Sequence, residues 1–218
     1  MKPAGPLSLR LCRPAAAVGL WLVAVALLWG CGGSPSQVQR YLLEYSPPSP
    51  PARAPLEAAL AIEPFAVNQA FNSTAMVYRP SPNVRDSYRY HRWRVDPGAM
   101  VTDFLRRDFR QAGVFKAVLP KDSGGDSRFR LEGAVEEIQE IDDPTGWRAS
   151  LALTVTLLDT KSPDLTTRVV MQKTYRTEEL MPEKTPQGLA QGVSVAMQRL
   201  SREIITEVYQ AARRRLGG

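Results

Sequence analysis

The chain has almost no histidine and almost no cysteine. Its 218 residues include one His, His91, and two Cys, Cys12 and Cys31. A nitrogen–sulfur zinc site needs three or four such ligands, so no metal site is expected. Nucleophilic catalysis needs an activating base held beside its nucleophile in a cleft. His91 falls instead within an expected strand, SYRYHRWRV, where a surface or half-buried structural role suffices. The stretch Asp122-Ser123-Gly124-Gly125-Asp126 lacks both EF-hand spacing and a P-loop lysine, and reads as a turn. The acid pairs Glu136-Glu137 and Asp142-Asp143 read as solvated strand ends and turns. No enzyme and no cofactor are expected.

Negative charge is missing from the N-terminus in an informative way. Residues 1–13 carry Lys2, Arg10 and Arg13 and no acid, and Pro14 to Trp29 carries no charge at all. Basic segment, apolar run and small residue before a cut are the parts of a secretory signal. The apolar run is shorter than the ~20 residues needed to span hydrocarbon, which argues against an uncleaved anchor. Leu28-Trp29-Gly30-Cys31 resembles the cleavage box of bacterial lipoproteins, with aliphatic Leu28, small Gly30, and Cys31 as the acylated first mature residue. Trp29 stands where a smaller residue is usual. Residues 1–30 are therefore read as a lipoprotein signal peptide, 31–37 as a flexible tether and 38–216 as a single α+β domain. Cys12 leaves with the signal and Cys31 takes lipid, so no disulfide can form in the mature chain. Three of the positive charges behind the net +6 also leave. An exported chain of modest remaining charge is not expected to bind nucleic acid.

Along the mature chain, Val38 to Tyr45 suits a strand. Five prolines in SPPSPPARAP then predict an extended connector rather than a domain boundary. Leu56 to Phe65 and Ala75 to Arg79 read as strands, the second ended by a turn at Pro80-Ser81-Pro82-Asn83. Ser87 to Val95 is a strand with Tyr88 and Tyr90 on one face and His91 and Trp93 on the other. Asp96-Pro97 starts a helix, which Gly113 stops, and Val114 to Leu119 follows as a strand. Phe129, Leu131, Gly133 and Val135 alternate with polar residues. After the turn at Asp142–Gly146, Trp147, Ala149, Leu151, Leu153, Val155 and Leu157 alternate again, and a third strand is expected from Thr167 to Tyr175. Thr185-Pro186 opens a long helix with a stripe through Leu189, Val193, Ala196, Leu200, Ile204, Val208 and Ala211. The fold class is α+β: a mixed β-sheet with an antiparallel C-terminal meander, covered by two amphipathic helices.

One stretch exceeds background charge. From Arg79 to Arg110 there are eight arginines against four acids. Arg85, Arg89 and Arg92, interleaved with Tyr88 and Tyr90, form a candidate face for anionic headgroups or an acidic partner. Edge-strand arginines that discourage aggregation are the structural alternative.

These positions resemble the ABC-type transport auxiliary lipoproteins, the group containing paraquat-inducible protein C. The residues that carry the resemblance are the lipidated Cys31, Tyr41-Leu42-Leu43, the strand ending Val77-Tyr78-Arg79, and Trp93 ahead of the helix from Pro97. The resemblance implies structural roles for Tyr78, Arg79 and Trp93. It implies a non-enzymatic auxiliary component partnering mammalian-cell-entry-type periplasmic proteins in lipid transport, and leaves room for a homo-oligomer. Gly32 is not the aspartate that retains lipoproteins in the inner membrane, so outer-membrane attachment facing the periplasm is expected. A stand-alone lipid carrier, with an apolar pocket between sheet and helices, is the alternative.

Overall fold

Fifteen consecutive residues, Phe129–Asp143 (β7), form the spine of the molecule, their alternation broken by an irregularity between Val135 and Glu137. The structure is a computed structural model and describes residues 37–49, 53–121 and 126–217. The signal segment, Cys31 and most of the tether lie outside the described residues. On one side β7 pairs along its whole length with β8 (Gly146–Asp159), and β8 pairs with β9 (Val169–Leu180), all antiparallel. On the other side the spine is shared by parallel partners in succession. Its first residues pair with β2 (Leu56–Ile62), its middle with β3 (Ala66–Val67), and its last with β4 (Ala75–Ser81). Beyond β2 lies β6 (Phe115–Pro120); beyond β4 lie β5 (Val84–Trp93) and then β1 (Gln39–Tyr41). The mixed sheet and its C-terminal meander are as the sequence predicts.

Details of the meander and of β4 differ from expectation. The third meander strand starts at Val169, because Leu165–Arg168 (α2) makes one helical turn behind the Asp164 cap, and it runs on to Leu180. Trp147 heads the inward row of β8 yet is 39% exposed, whereas Ala149, Leu151, Leu153, Val155 and Leu157 are fully buried. And β4 continues through Pro80, placing the turn at Pro82–Asn83. The β4–β5 ladder is irregular between Tyr78 and Ser81, so the missing proline N–H breaks no regular register there.

Pro97–Ala112 (α1) begins where Asp96 accepts from the amides of Gly98 and Ala99, at 2.8 and 3.4 Å, and ends at Gly113 with φ 61°. Pro186–Gly217 (α3) lays its predicted stripe, Leu189 to Ala211, into the core. Each Leu, Val or Ile of that stripe contributes roughly 1.5–3 kcal/mol on burial. The helices are joined through Asp108 of α1. Its buried carboxylate accepts from Ser201 of α3 and from Tyr45, both at 2.7 Å, and from Arg107 at 2.8 Å.

Only Gln39–Tyr41 of the expected first strand pairs, parallel to β5. Leu42 turns outward, Leu43 turns into the core, and the chain becomes a strap along α3. The Glu44 amide donates to Ser194, Gln198 donates to the Ser46 carbonyl, and Tyr209 donates to the Ala54 carbonyl. Prolines have no N–H to offer a neighbouring strand, which suits this segment to side-chain anchoring. No described helix is long and apolar enough to cross a membrane.

Candidate functional site

The hairpin of β4 and β5 carries the predicted basic-aromatic residues. Asn83, at φ 65°, supplies the left-handed turn that asparagine tolerates better than most residues. Farther along, Val77 pairs with Ser87 and Ala75 with Arg92. β5 thus advances five residues while β4 advances two, and the three extra residues form an irregularity on β5.

That irregularity changes which side chains meet. Tyr88 and Tyr90 do not share a face opposite His91. Tyr88 packs edge-on to His91, with ring centroids 6.0 Å apart, and lies 5.0 Å from the ring of Tyr78. His91 in turn shares a 2.9 Å hydrogen bond with the Tyr41 hydroxyl. Tyr88 donates to the fully buried Glu140 at 2.7 Å. Burial, with that bond to a carboxylate, pushes the Tyr88 phenol well above its ordinary value. Burial likewise pushes the Glu140 carboxyl up. Tyr88 is therefore a packing and hydrogen-bonding residue, and Tyr90 is the exposed aromatic.

The arginines divide as well. Arg85 and Arg89 are exposed; Arg85 donates to the Val84 carbonyl, and the Arg89 guanidinium lies 5.4 Å from the Tyr90 ring centroid. Arg92 is half-buried, in register with Arg40 of β1 on one side and Ala75 of β4 on the other. None of the three forms an ion pair with an acid among the described residues. The helix arginines belong elsewhere. Arg106 pairs with Asp103, Arg107 pairs with Asp108 and covers the rings of Tyr45 and Phe104, and Arg110 donates to the Val118 carbonyl. The basic face thus contracts from the span 79–110 to the hairpin around Arg85, Arg89 and Tyr90.

Tyr78 and Arg79 are half-buried on β4, and the Tyr78 hydroxyl donates to Asp86 at 3.1 Å. Trp93 is 1% exposed in the core. Among the described residues no three His, Cys, Asp or Glu side chains gather where a metal could bind. Between sheet and helices, Leu151, Leu153, Val155 and Leu157 belong to one buried core with Leu189, Val193, Met197 and Leu200. Asp108 is the polar junction that sequence reasoning missed. Its sequence signal was an acid on the inward side of a helix, at i+3 from Leu105.

A family described as the ABC-type transport auxiliary lipoprotein component matches residues 41–205. The crystal structure of XCC0632 from Xanthomonas campestris, assigned to family DUF330, superposes with TM-score 0.75 at 17% identity. The match covers 83% of this chain and all of that one. A second crystal structure, of an uncharacterized protein, superposes with TM-score 0.59 at 12% identity over 78% of this chain and 99% of its own. Both share the α+β fold. Among curated proteins none matches the chain.

Proposed function

The chain belongs to the ABC-type transport auxiliary lipoproteins, and from that premise we propose that it is a non-enzymatic component of a lipid transporter, held at the outer membrane through Cys31. The observation that carries this reading is the family match across most of the folded domain, residues 41–205. The family is a transport auxiliary class rather than an enzyme class. In this reading the partner is a mammalian-cell-entry-type periplasmic protein, which the auxiliary docks at the membrane. The packed layer between sheet and helices favours a docking role over that of a stand-alone carrier, because a carrier needs an apolar cavity for its cargo.

Affinity purification of the lipidated chain after crosslinking in its own envelope tests the proposal. A mammalian-cell-entry-type protein, with a permease and an ATPase, should be enriched. Recovery of stoichiometric phospholipid with no such partner would replace this reading with the carrier.

A further inference from the structure

Strand direction shows at which end of the sheet the domain begins. β1 runs parallel to β5, Gln39 beside His91 and Tyr41 beside Trp93. Val38, the first residue of the domain, therefore lies towards the Val84 end of β5. Five strands finish at that same end. Val84 pairs with Ser81, and β4 lies beside the last residues of β7 through Tyr78–Glu140 and Arg79–Ile141. Asp143 then pairs with Gly146, and Arg148 with Leu180. Four interstrand steps of about 4.8 Å make this rim about 19 Å wide. The seven-residue separation between Cys31 and Val38 spans at most about 25 Å.

The rim has the composition of an interfacial surface. Leu180 is 72% exposed, Val84 47% and Trp147 39%, with exposed Tyr90 set farther back along β5. Cations stand among them: Arg85 and Arg89 carry no acid partner among the described residues, and the Lys184 ammonium lies 5.5 Å from the Trp147 ring centroid. The nearby acids are engaged, exposed Glu183 excepted. Asp142 pairs with Lys184, Asp143 and Glu178 pair with Arg148, and Asp86 accepts from Tyr78. Tryptophan and tyrosine favour the headgroup level of a bilayer, and arginine and lysine reach from apolar stems to lipid phosphates. Positive charge alone does not select this end, since α3 closes with Arg213, Arg214 and Arg215 at the other. The direction of β1 selects it.

We propose that this rim is a lipid-facing surface, with Trp147, Leu180 and the Val84–Arg89 hairpin lying against the headgroups of the phospholipid membrane that holds Cys31. The proposal rests on the reading of Cys31 as the anchor. It places the opposite end, with the α3 terminus, about 48 Å away along the helix and facing the periplasm.

The mature chain is well suited to a test. Without residues 1–30 its only cysteine is Cys31, and its only tryptophans are buried Trp93 and exposed Trp147. Cys31 of that chain can be coupled to a maleimide-headgroup lipid in vesicles of phosphatidylethanolamine and phosphatidylglycerol. Tryptophan emission is then read with brominated phospholipids in the bilayer and with iodide in the water. Emission should shift to the blue, brominated lipid should quench it, and Trp147→Phe should abolish the quenched component. Val84→Asp with Leu180→Asp should reduce quenching several-fold at an unchanged melting temperature. Emission that iodide still quenches, and that brominated lipid leaves untouched, would overturn the proposal and leave the rim to a protein partner. The coupling supplies the anchor chemically, so this result does not depend on whether cells acylate Cys31. Fractionation of Cys31→Ser decides that question separately.

Discussion

The Tyr88 hydroxyl donates a 2.7 Å hydrogen bond to the buried carboxylate of Glu140, tying the β4–β5 hairpin to the spine of the sheet. The other carboxylate oxygen of Glu140 has no hydrogen-bond partner among the described residues. Desolvation raises the folded-state pKa above the ordinary glutamate value, so over the interval between them the native chain holds more protons than the unfolded one. Stability must fall as pH rises through that interval.

Glu140→Gln removes this ionisation while keeping an acceptor for Tyr88. Its melting temperature relative to wild type should therefore climb as pH rises above the usual carboxylate range. Melts across acid to neutral pH measure this, and a pH-independent difference would refute it. Tyr88→Phe should cost about 1–3 kcal/mol at neutral pH, the ordinary penalty for stranding a buried acceptor.

Gly192 sets the approach of α3 to β8. A Cβ there would stand 2.5 Å from the Ala149 Cβ, so Gly192→Ala must lift the helix or displace the strand. Overpacking costs typically 1–3 kcal/mol, against about 1 kcal/mol gained in helix propensity. A lower denaturation midpoint is expected. Gly217→Ala, whose Cβ would meet nothing within 4 Å, should leave the midpoint in place or raise it.

Leu153 sits fully buried midway along β8, opposite Tyr175 of β9 and Val135 of β7. Leu153→Asp would place an unpaired carboxylate there, at several kcal/mol against a domain stability of roughly 5–15. Loss of soluble, cooperatively melting protein is the expected result.

The elements read correctly from sequence were those with local signals. Asp96-Pro97 and Gly113 bracket α1 because capping is a matter of neighbouring residues, and strict alternation made the meander plain. The β5 irregularity escaped because three extra residues erase the period of two that places Tyr88 beside Tyr90. The strap escaped because an apolar run such as Val38–Tyr45 does not reveal which residue turns outward. Asp108 escaped because its partners, Tyr45 and Ser201, come from distant parts of the chain. Of the candidate site, the exposure of Arg85, Arg89 and Tyr90 was legible. The burial of Arg92 depends on pairing with β1 and that of Tyr88 on its hydrogen bond to Glu140 of β7, and the interest of Trp147 depends on where α3 begins.

Cys31→Ser tests the anchor. Lipid attachment contributes about 0.8 kcal/mol per buried CH₂, and stable anchoring takes more than one chain or an added basic surface. The variant should lose palmitate label and leave the outer-membrane fraction as a soluble or signal-retaining form. Label that persists would refute acylation at Cys31, and recovery of the wild type with inner membranes would refute the placement.

Charge reversal at the hairpin separates contact from packing. Arg85→Glu with Arg89→Glu alters two exposed side chains without acid partners among the described residues, and exposed charges of this kind contribute about 0–1 kcal/mol to folding. Melting should hardly change. Binding to phosphatidylglycerol vesicles or to an acidic partner should weaken, because like charges then face each other across the interface. The difference should shrink with salt, since at ~0.15 M screening acts over about 8 Å. Adding Arg92→Glu should behave differently. It places an acid at a half-buried position between β1 and β4, so the triple variant should melt lower than the double. Equal melting of the two would mean that Arg92 is as free as its neighbours. Wild-type binding by the double variant would reduce the hairpin arginines to a solvated edge that merely keeps other strands away.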